Sequence, residues 1–319
     1  MPAFVAVVIP CYRVKNHILG VLSRIGTEVN RVFVVDDACP EGSGRLVQEQ
    51  CTDPRVTVLH HAVNQGVGAA VMTGYTAALK EGAQVIVKVD GDGQMDPALI
   101  PHFIAPILKG QADYTKGNRF YNLTHIGQMP TIRLLGNAAL SFMAKLSTGY
   151  WNLFDTTNGF TAIHAKVARC IAFDKVSQRY FFETDLLFRL NTIRAVVVDI
   201  AMDASYGSET SSLRVTHVLG EFLVKHLRNF GKRVFYSYFL RDMTAASLEL
   251  VLGLCAVTFG VVFGGIHWCH SIATDMPTPL GTIMLAALPT MLGLQFLLAF
   301  IAFDVANVPR RPIHVDLAD

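Results

Sequence analysis

Two kinds of apolar run divide the chain. Near the start they are short: FVAVVIP (4–10), RVFVVDD (31–37), VTVLHH (56–61) and QVIVKVD (84–90) are near-continuous apolar stretches of strand length. Strands buried on both faces of a parallel sheet have this pattern, because helices cover both sides. Helical spacing falls between them, as from Gly66 to Glu81, where Ala69, Ala70, Ala77, Ala78 and Leu79 mark an apolar side. The alternation predicts an α/β fold with helices on both faces of the sheet. Ligands of such sheets bind beyond the carboxyl ends of the strands. Pro10-Cys11-Tyr12, Asp36-Asp37 and Asp90-Gly91-Asp92 end three of these runs and so gather at one rim.

The later runs are long. From Thr244 to Ile266 there is one charge, Glu249, and from Leu280 to Phe303 there is none. Each exceeds the ~20 residues that cross a ~30 Å hydrocarbon layer as a helix. Core helices rarely stay apolar on every face over such a length. Pro289 and Gln295 in the second run are tolerated where a partner helix covers the freed groups. Lys225, Arg228, Lys232, Arg233 and Arg241 precede the first run, the connection 267–279 has neither Lys nor Arg, and Arg310 and Arg311 follow the second. Positive-inside logic therefore predicts a cytoplasmic N-terminal region and C-terminus joined by a short external loop. Phe222, Leu223, Leu227, Phe230, Val234 and Phe235 recur at helical spacing among the basic residues. That pattern predicts helices lying in the headgroup layer, their cations against anionic lipid. The apolar stretch at 3–9 lacks a basic flank and ends at Pro10, so it reads as a buried strand rather than a secretory signal. The expected organisation is a sheet domain over 1–215, interfacial helices over 216–243, spans at 244–266 and 280–303 around the loop 267–279, and a tail at 304–319.

Composition narrows the class. Of 319 residues 16% are charged, against roughly 25% in ordinary soluble proteins, and the mean hydropathy is +0.37. A disordered, solvating chain is excluded. A net charge of +2 gives no footprint for nucleic acid. The six cysteines form no CxxC pair and read as reduced thiols. GxxxxGK[ST] is absent and no GxGxxG follows the first strand, so the phosphates of a nucleotide need another cation.

Asp90-Gly91-Asp92-Gly93-Gln94-Met95-Asp96 carries the strongest chemical signal. Residues i and i+2 at a strand end face the same way, which aims Asp90 and Asp92 at one spot. Two such carboxylates repel unless a cation lies between them, and hard oxygen ligands select Mg²⁺ or Mn²⁺. Asp36 and Asp37 suit either the base and ribose of a nucleotide or the cap of the next turn. In FFETDLLFRL (181–190), Glu183 and Asp185 suit either a general base or the dipole of a first helical turn. His60, His61, His125 and His164 lack ligand spacing and read as packed or surface residues.

IPCYR (9–13), VVDDACPEGS (34–43), NQGVGAAVMTGY (64–75), VDGDGQMDP (89–97) and DTTNGFTAI (155–163) resemble, in order, the motifs of family 2 glycosyltransferases. The nearest likeness is to dolichyl- and polyprenyl-phosphate mannosyl- and glucosyltransferases, including bacterial relatives with two C-terminal membrane helices. The resemblance spans about residues 4–215 and implies a GT-A fold, a Rossmann-like, mostly parallel sheet. It implies that Pro10, Tyr12, Asp36 and Asp37 hold the nucleoside, and that Asp90, Asp92 and Gln94 hold the metal and diphosphate. Arg119 and Arg133 then face the phosphates of donor and acceptor, and Asp185 faces the reaction centre. Val14 and Thr161 stand where the family often has an acidic residue and an arginine, and YGSETSSLR (206–214) leaves Arg214 as the only cation of a usually basic loop. The reaction so implied inverts a hexose from a UDP- or GDP-sugar onto polyprenyl phosphate at the inner membrane face. A sugar hydroxyl as acceptor is the rival reading, and a non-catalytic membrane scaffold is a third. Symmetric assembly through the membrane helices is compatible with all of them.

Overall fold

The computed structural model describes residues 3–121, 131–202 and 215–317, with side chains throughout except at 131–135, 137 and 215–219. Seven strands form one sheet: β1 (Val5–Cys11), β2 (Arg31–Asp36), β3 (Val56–His60), β4 (Val85–Lys88), β5 (Tyr114–Asn118), β6 (Thr161–His164) and β7 (Val197–Ala201). Their order is β3-β2-β1-β4-β6-β5-β7. β6 runs antiparallel to β4 and β5, and the other pairings are parallel. The four strands expected from the apolar runs are present, and β1 is buried along its whole length, as a strand covered on both faces must be. Between and after the strands lie α1 (Ile18–Ser23), α2 (Ser43–Gln50), α3 (Val67–Lys80), α4 (Ile100–Leu108), α5 (Thr131–Thr148), α6 (Ala165–Arg169), α7 (Phe182–Thr192) and α8 (Val215–Phe235). The chain reverses its strand order between β1 and β4. That switch point opens a crevice beyond the carboxyl ends, where α/β sheets take their ligands.

The chain divides into two compact units, one of residues 1–230 with 309–319 and one of residues 231–308. The second unit is a hairpin of α9 (Ala245–Thr274) and α10 (Leu280–Ala306), both long and apolar enough to cross a membrane. Only 22% and 11% of their most apolar windows are buried, which suits lipid and not a protein core. Close packing needs small residues: a Cβ at Gly260 would come within 2.6 Å of the Ala286 carbonyl oxygen. Arg233, expected among the lipid-facing cations, is 2% exposed. Its guanidinium grips Asp304 bidentately at 2.6 and 2.9 Å, and the Tyr238 hydroxyl donates to the same carboxylate at 2.6 Å. An apolar setting explains the difference, because a buried arginine must find a carboxylate.

Within the first unit, α8 buries two polar residues and exposes apolar ones beside Glu221 and Arg228. His226 and Asn229 are buried, whereas Leu223, Val224 and Leu227 are 47–64% exposed. Residues 309–319 return to the sheet. Asp113, at the foot of β5, is fully buried and accepts from Val196 N at 2.7 Å, Ile313 N and His314 N at 2.9 Å, and His314 Nδ1 at 2.7 Å. The His314 ring stacks on His164 with centroids 4.2 Å apart, and Lys166 Nζ donates to the Leu317 carbonyl at 2.7 Å.

Candidate active site

β4 ends at Lys88, so Asp90 to Asp92 lie in the turn beyond it. Pleat alternation therefore does not aim these carboxylates; their neighbours do. Lys88 is 2% exposed and places Nζ 2.6 Å from Asp90 Oδ1 and 3.9 Å from Glu183 Oε1. A Cβ at Gly159 would overlap both Lys88 Nζ and Asp90 Oδ2, so the Asn158-Gly159-Phe160 turn needs its glycine to seat against this pair. Asp92 Oδ1 accepts from Gln94 N at 3.0 Å, which fixes the far side of the turn.

Asp36 and Asp37 end β2 differently. Asp36 accepts from Cys39 N at 2.7 Å and Gly44 N at 2.8 Å, one on each oxygen. Asp37 accepts from Gln65 N, Gly66 N and His61 Nδ1, each at 2.8 Å. Both side chains are buried, and both already serve as caps for the loops that wall the crevice. Pro10 lies inside β1 against Val35, and Tyr12 at the rim is 41% exposed, with the Arg13 guanidinium 5.5 Å from its ring centre.

The loop that carries Gly159 starts at Asp155. Arg119 holds Asp155 through Nε at 2.7 Å and Nη2 at 3.2 Å. Burial pushes the Asp155 carboxyl up, but Arg119 and Lys116 more than offset it and hold it below the ordinary range. Lys116, fully buried, donates to the Asn158 carbonyl at 3.1 Å, and burial draws its ammonium down to about 8. Beside this pair is a cavity of about 430 Å³ whose walls include Phe120, Leu140, Phe142, Phe154, Tyr180 and Phe222. Asp155, Thr184 and His226 add polar atoms to it. His226 Nδ1 bonds Ser147 Oγ at 2.7 Å, and burial lowers its imidazole to about 4, so the ring is neutral at pH 7.

Glu183 and Asp185 are two apart in the first turn of α7 and so diverge. Asp185 accepts from Ser177 N at 2.9 Å, Asn229 Nδ2 at 3.0 Å and Arg189 Nε at 3.3 Å. Glu183 faces Lys88, and burial raises its carboxyl to about 7 although Lys88 works against the rise. Of the two, Glu183 is the one that the fold brings to the Asp90 corner. The side chain of Arg133, in the first turn of α5, and the whole of Arg214 lie outside the described residues.

Lys88, Gly159 and His226 are the site residues that sequence reasoning missed. A lysine inside QVIVKVD was the available signal for the first, since a charge in a strand buried on both faces needs a partner. Among the described residues no three His, Cys, Asp or Glu side chains cluster as a metal cage. The Asp90–Asp92 turn fits an ion of another kind. Mg²⁺ and Mn²⁺ are held by one or two carboxylates and complete their shell with water and substrate phosphates.

Residues 6–172 match the family model described as "Glycosyl transferase family 2". The undecaprenyl-phosphate mannosyltransferase of Micrococcus luteus is 31% identical over 200 residues, which cover 61% of this chain and 81% of that one. The polyprenol monophosphomannose synthase of Mycolicibacterium smegmatis is 30% identical over 57% of this chain and 70% of its own. Among solved structures, glucosyl-3-phosphoglycerate synthase from Mycobacterium tuberculosis, with Mn²⁺, UDP and glucosyl-3-phosphoglycerate, superposes with a TM-score of 0.53. It is 16% identical over 72% of this chain and 80% of its own, a likeness of fold alone, and that fold is GT-A. With the crevice at the β1/β4 switch, the carboxylate turn beyond β4 and a match over residues 6–172, the chain is a glycosyltransferase and belongs to family 2.

Proposed function

We propose that the enzyme transfers a hexose from a UDP- or GDP-sugar to a polyprenyl phosphate, inverting the anomeric centre, at the cytoplasmic face of a membrane crossed by α9 and α10. The observation that carries this reading is the aromatic cavity beside Arg119. Its walls suit an isoprenoid, and the loop from Asp155 to Gly159 leads from it to the Asp90 corner. The names of the Micrococcus and Mycolicibacterium relatives support the same acceptor class. The basic residues before α9 and after α10, with none between, support the cytoplasmic placement.

In this reading Asp90, Asp92 and Gln94 hold Mg²⁺ or Mn²⁺ with the donor diphosphate, and the ion supplies neutralising charge to the departing group. Pro10, Tyr12 and the loops capped by Asp36 and Asp37 enclose the nucleoside. Arg119, Arg133 and Arg214 face the phosphates. A phosphate oxygen of the acceptor attacks the anomeric carbon. The bond from that carbon to the diphosphate oxygen breaks, and the nucleoside diphosphate leaves with the electron pair. The acceptor is already anionic at pH 7, so orientation of the two substrates provides much of the rate. The test is purified protein, a panel of radiolabelled nucleotide sugars and undecaprenyl phosphate. Label in the organic phase, dependent on Mn²⁺ or Mg²⁺, is expected; label that enters only water-soluble glycan overturns the acceptor.

One observation favours a sugar hydroxyl as acceptor: the buried Glu183 carboxyl, raised to about 7, has the character of a general base. That reading requires a rate that climbs through pH 7 and collapses in Glu183→Gln, with Asp185 as the other acidic group of the same turn. Transfer to a phosphate requires neither.

A further inference from the structure

β4 delivers a lysine where a strand buried on both faces calls for an apolar residue. The Lys88 ammonium lies between two carboxylates, 2.6 Å from Asp90 Oδ1 and 3.9 Å from Glu183 Oε1. The Phe182 ring closes over it, with its centre 5.5 Å away, and the missing side chain of Gly159 leaves the room the pair occupies. A cation placed this deeply needs such partners to offset its lost hydration. Its effect on the rim is direct: one oxygen of Asp90, and most of one negative charge, are already taken.

We propose that Lys88 makes ion binding at Asp90 and Asp92 conditional on the donor diphosphate, an inference that rests on reading these aspartates as the ion-holding pair. A bare divalent cation meets a corner whose negative charge is partly neutralised by Lys88. An ion that arrives with a diphosphate brings the missing charge and the missing oxygens with it. Ion and diphosphate then bind together and leave together, which suits a site that must clear a nucleoside diphosphate in every turnover. Glu183 acts through Lys88. By drawing the ammonium partly off Asp90, it sets how firmly that carboxylate oxygen is held. Both are positioning residues for the ion.

The experiment measures Mn²⁺ binding to the full-length protein in detergent by electron paramagnetic resonance of the free ion, with and without UDP or GDP. Lys88→Met is expected to bind bare Mn²⁺ about tenfold more tightly, since a positive charge has left the corner. The gain in Mn²⁺ affinity on adding nucleotide should shrink by about the same factor. Glu183→Gln should move the other way and weaken bare-ion binding, and Lys88→Arg should keep the wild-type pattern. A merely structural lysine would lower the melting temperature and leave the ratio of the two affinities alone. Lys88→Met with wild-type bare-ion affinity and wild-type coupling overturns the proposal but spares the two-aspartate reading. Should that variant fail to fold, Glu183→Gln with unchanged ion affinity overturns it equally. Wild-type protein that binds no Mn²⁺ either alone or with nucleotide overturns both.

Discussion

Two acidic corners follow the strands on either side of β1, and their residues look alike while their surroundings do not. At the end of β2, Asp36 and Asp37 are saturated: five N–H donors from Cys39, Gly44, Gln65, Gly66 and His61 occupy their oxygens. Beyond β4, Asp90 meets a lysine side chain, and Asp92 accepts from the turn amide of Gln94. Backbone donors are fixed by the loops they build and stay in place, whereas a side-chain cation such as Lys88 can shift. The first corner ties the crevice loops together; the second is the one to which the proposed reading assigns the ion.

The largest expected effect separates the corners directly. Asp92→Asn should lower turnover on the order of 10²–10³-fold, the scale of lost transition-state charge stabilisation, with an unchanged melting temperature. Next comes the converse. Asp37→Ala strands Gln65 N, Gly66 N and His61 and should cost about 3 kcal/mol of stability, seen as a lower denaturant midpoint, while the protein that stays folded keeps its affinity for Mn²⁺. If the two variants exchanged phenotypes, the distinction would be broken. Asp185 extends the comparison to α7. With donors on both oxygens it belongs to the saturated class, so Asp185→Asn should cost about 1–2 kcal/mol and leave glycosyl transfer at the wild-type rate per folded molecule.

The smallest effect concerns a fourth saturated carboxylate, Asp113, and the tail that docks on it. His164, stacked on His314, is drawn down to about 4 by burial and by the neighbouring His314 and Lys166. Its folded value is below its unfolded one, so the fold prefers the neutral ring. The stability linked to His164 is therefore complete above pH 6.5 and is lost as pH falls from there through about 4. Hydrogen exchange at residues 313–317 should accelerate across that window, and His164→Gln should flatten the response.

What could be read from the chain follows the range of the interactions involved. β1, β2 and β4 were legible because burial on both faces writes itself into consecutive residues, and the half-exposed edge strand β3 was legible from its β-branched run. The carboxylate turn was legible because its parts are adjacent. The antiparallel insertion of β6 between β4 and β5 was not, since four residues, Thr161 to His164, carry no periodicity of their own. Lys88 and Glu183 meet across 95 positions, and Asp113 meets His314 across 201, distances at which pattern says nothing about partners. Arg233 was read with its basic neighbours as a lipid-facing charge; the deciding fact was Asp304, a whole hairpin away. Glu183 and Asp185 were legible as a pair of candidates, and the donors around Asp185 and the Lys88 contact of Glu183 distinguish them.

The docking of residues 313–314 on Asp113 also bears on how the enzyme is made. A ribosome completes β5 and β7 while this buried carboxylate still lacks three of its four donors, because those belong to Ile313 and His314. They emerge only after both long apolar helices have left the tunnel. Domains usually close as soon as their own residues are synthesised; the latch on this one is made last. Nascent chains arrested before the second long apolar helix should therefore carry a sheet that is assembled but unlatched.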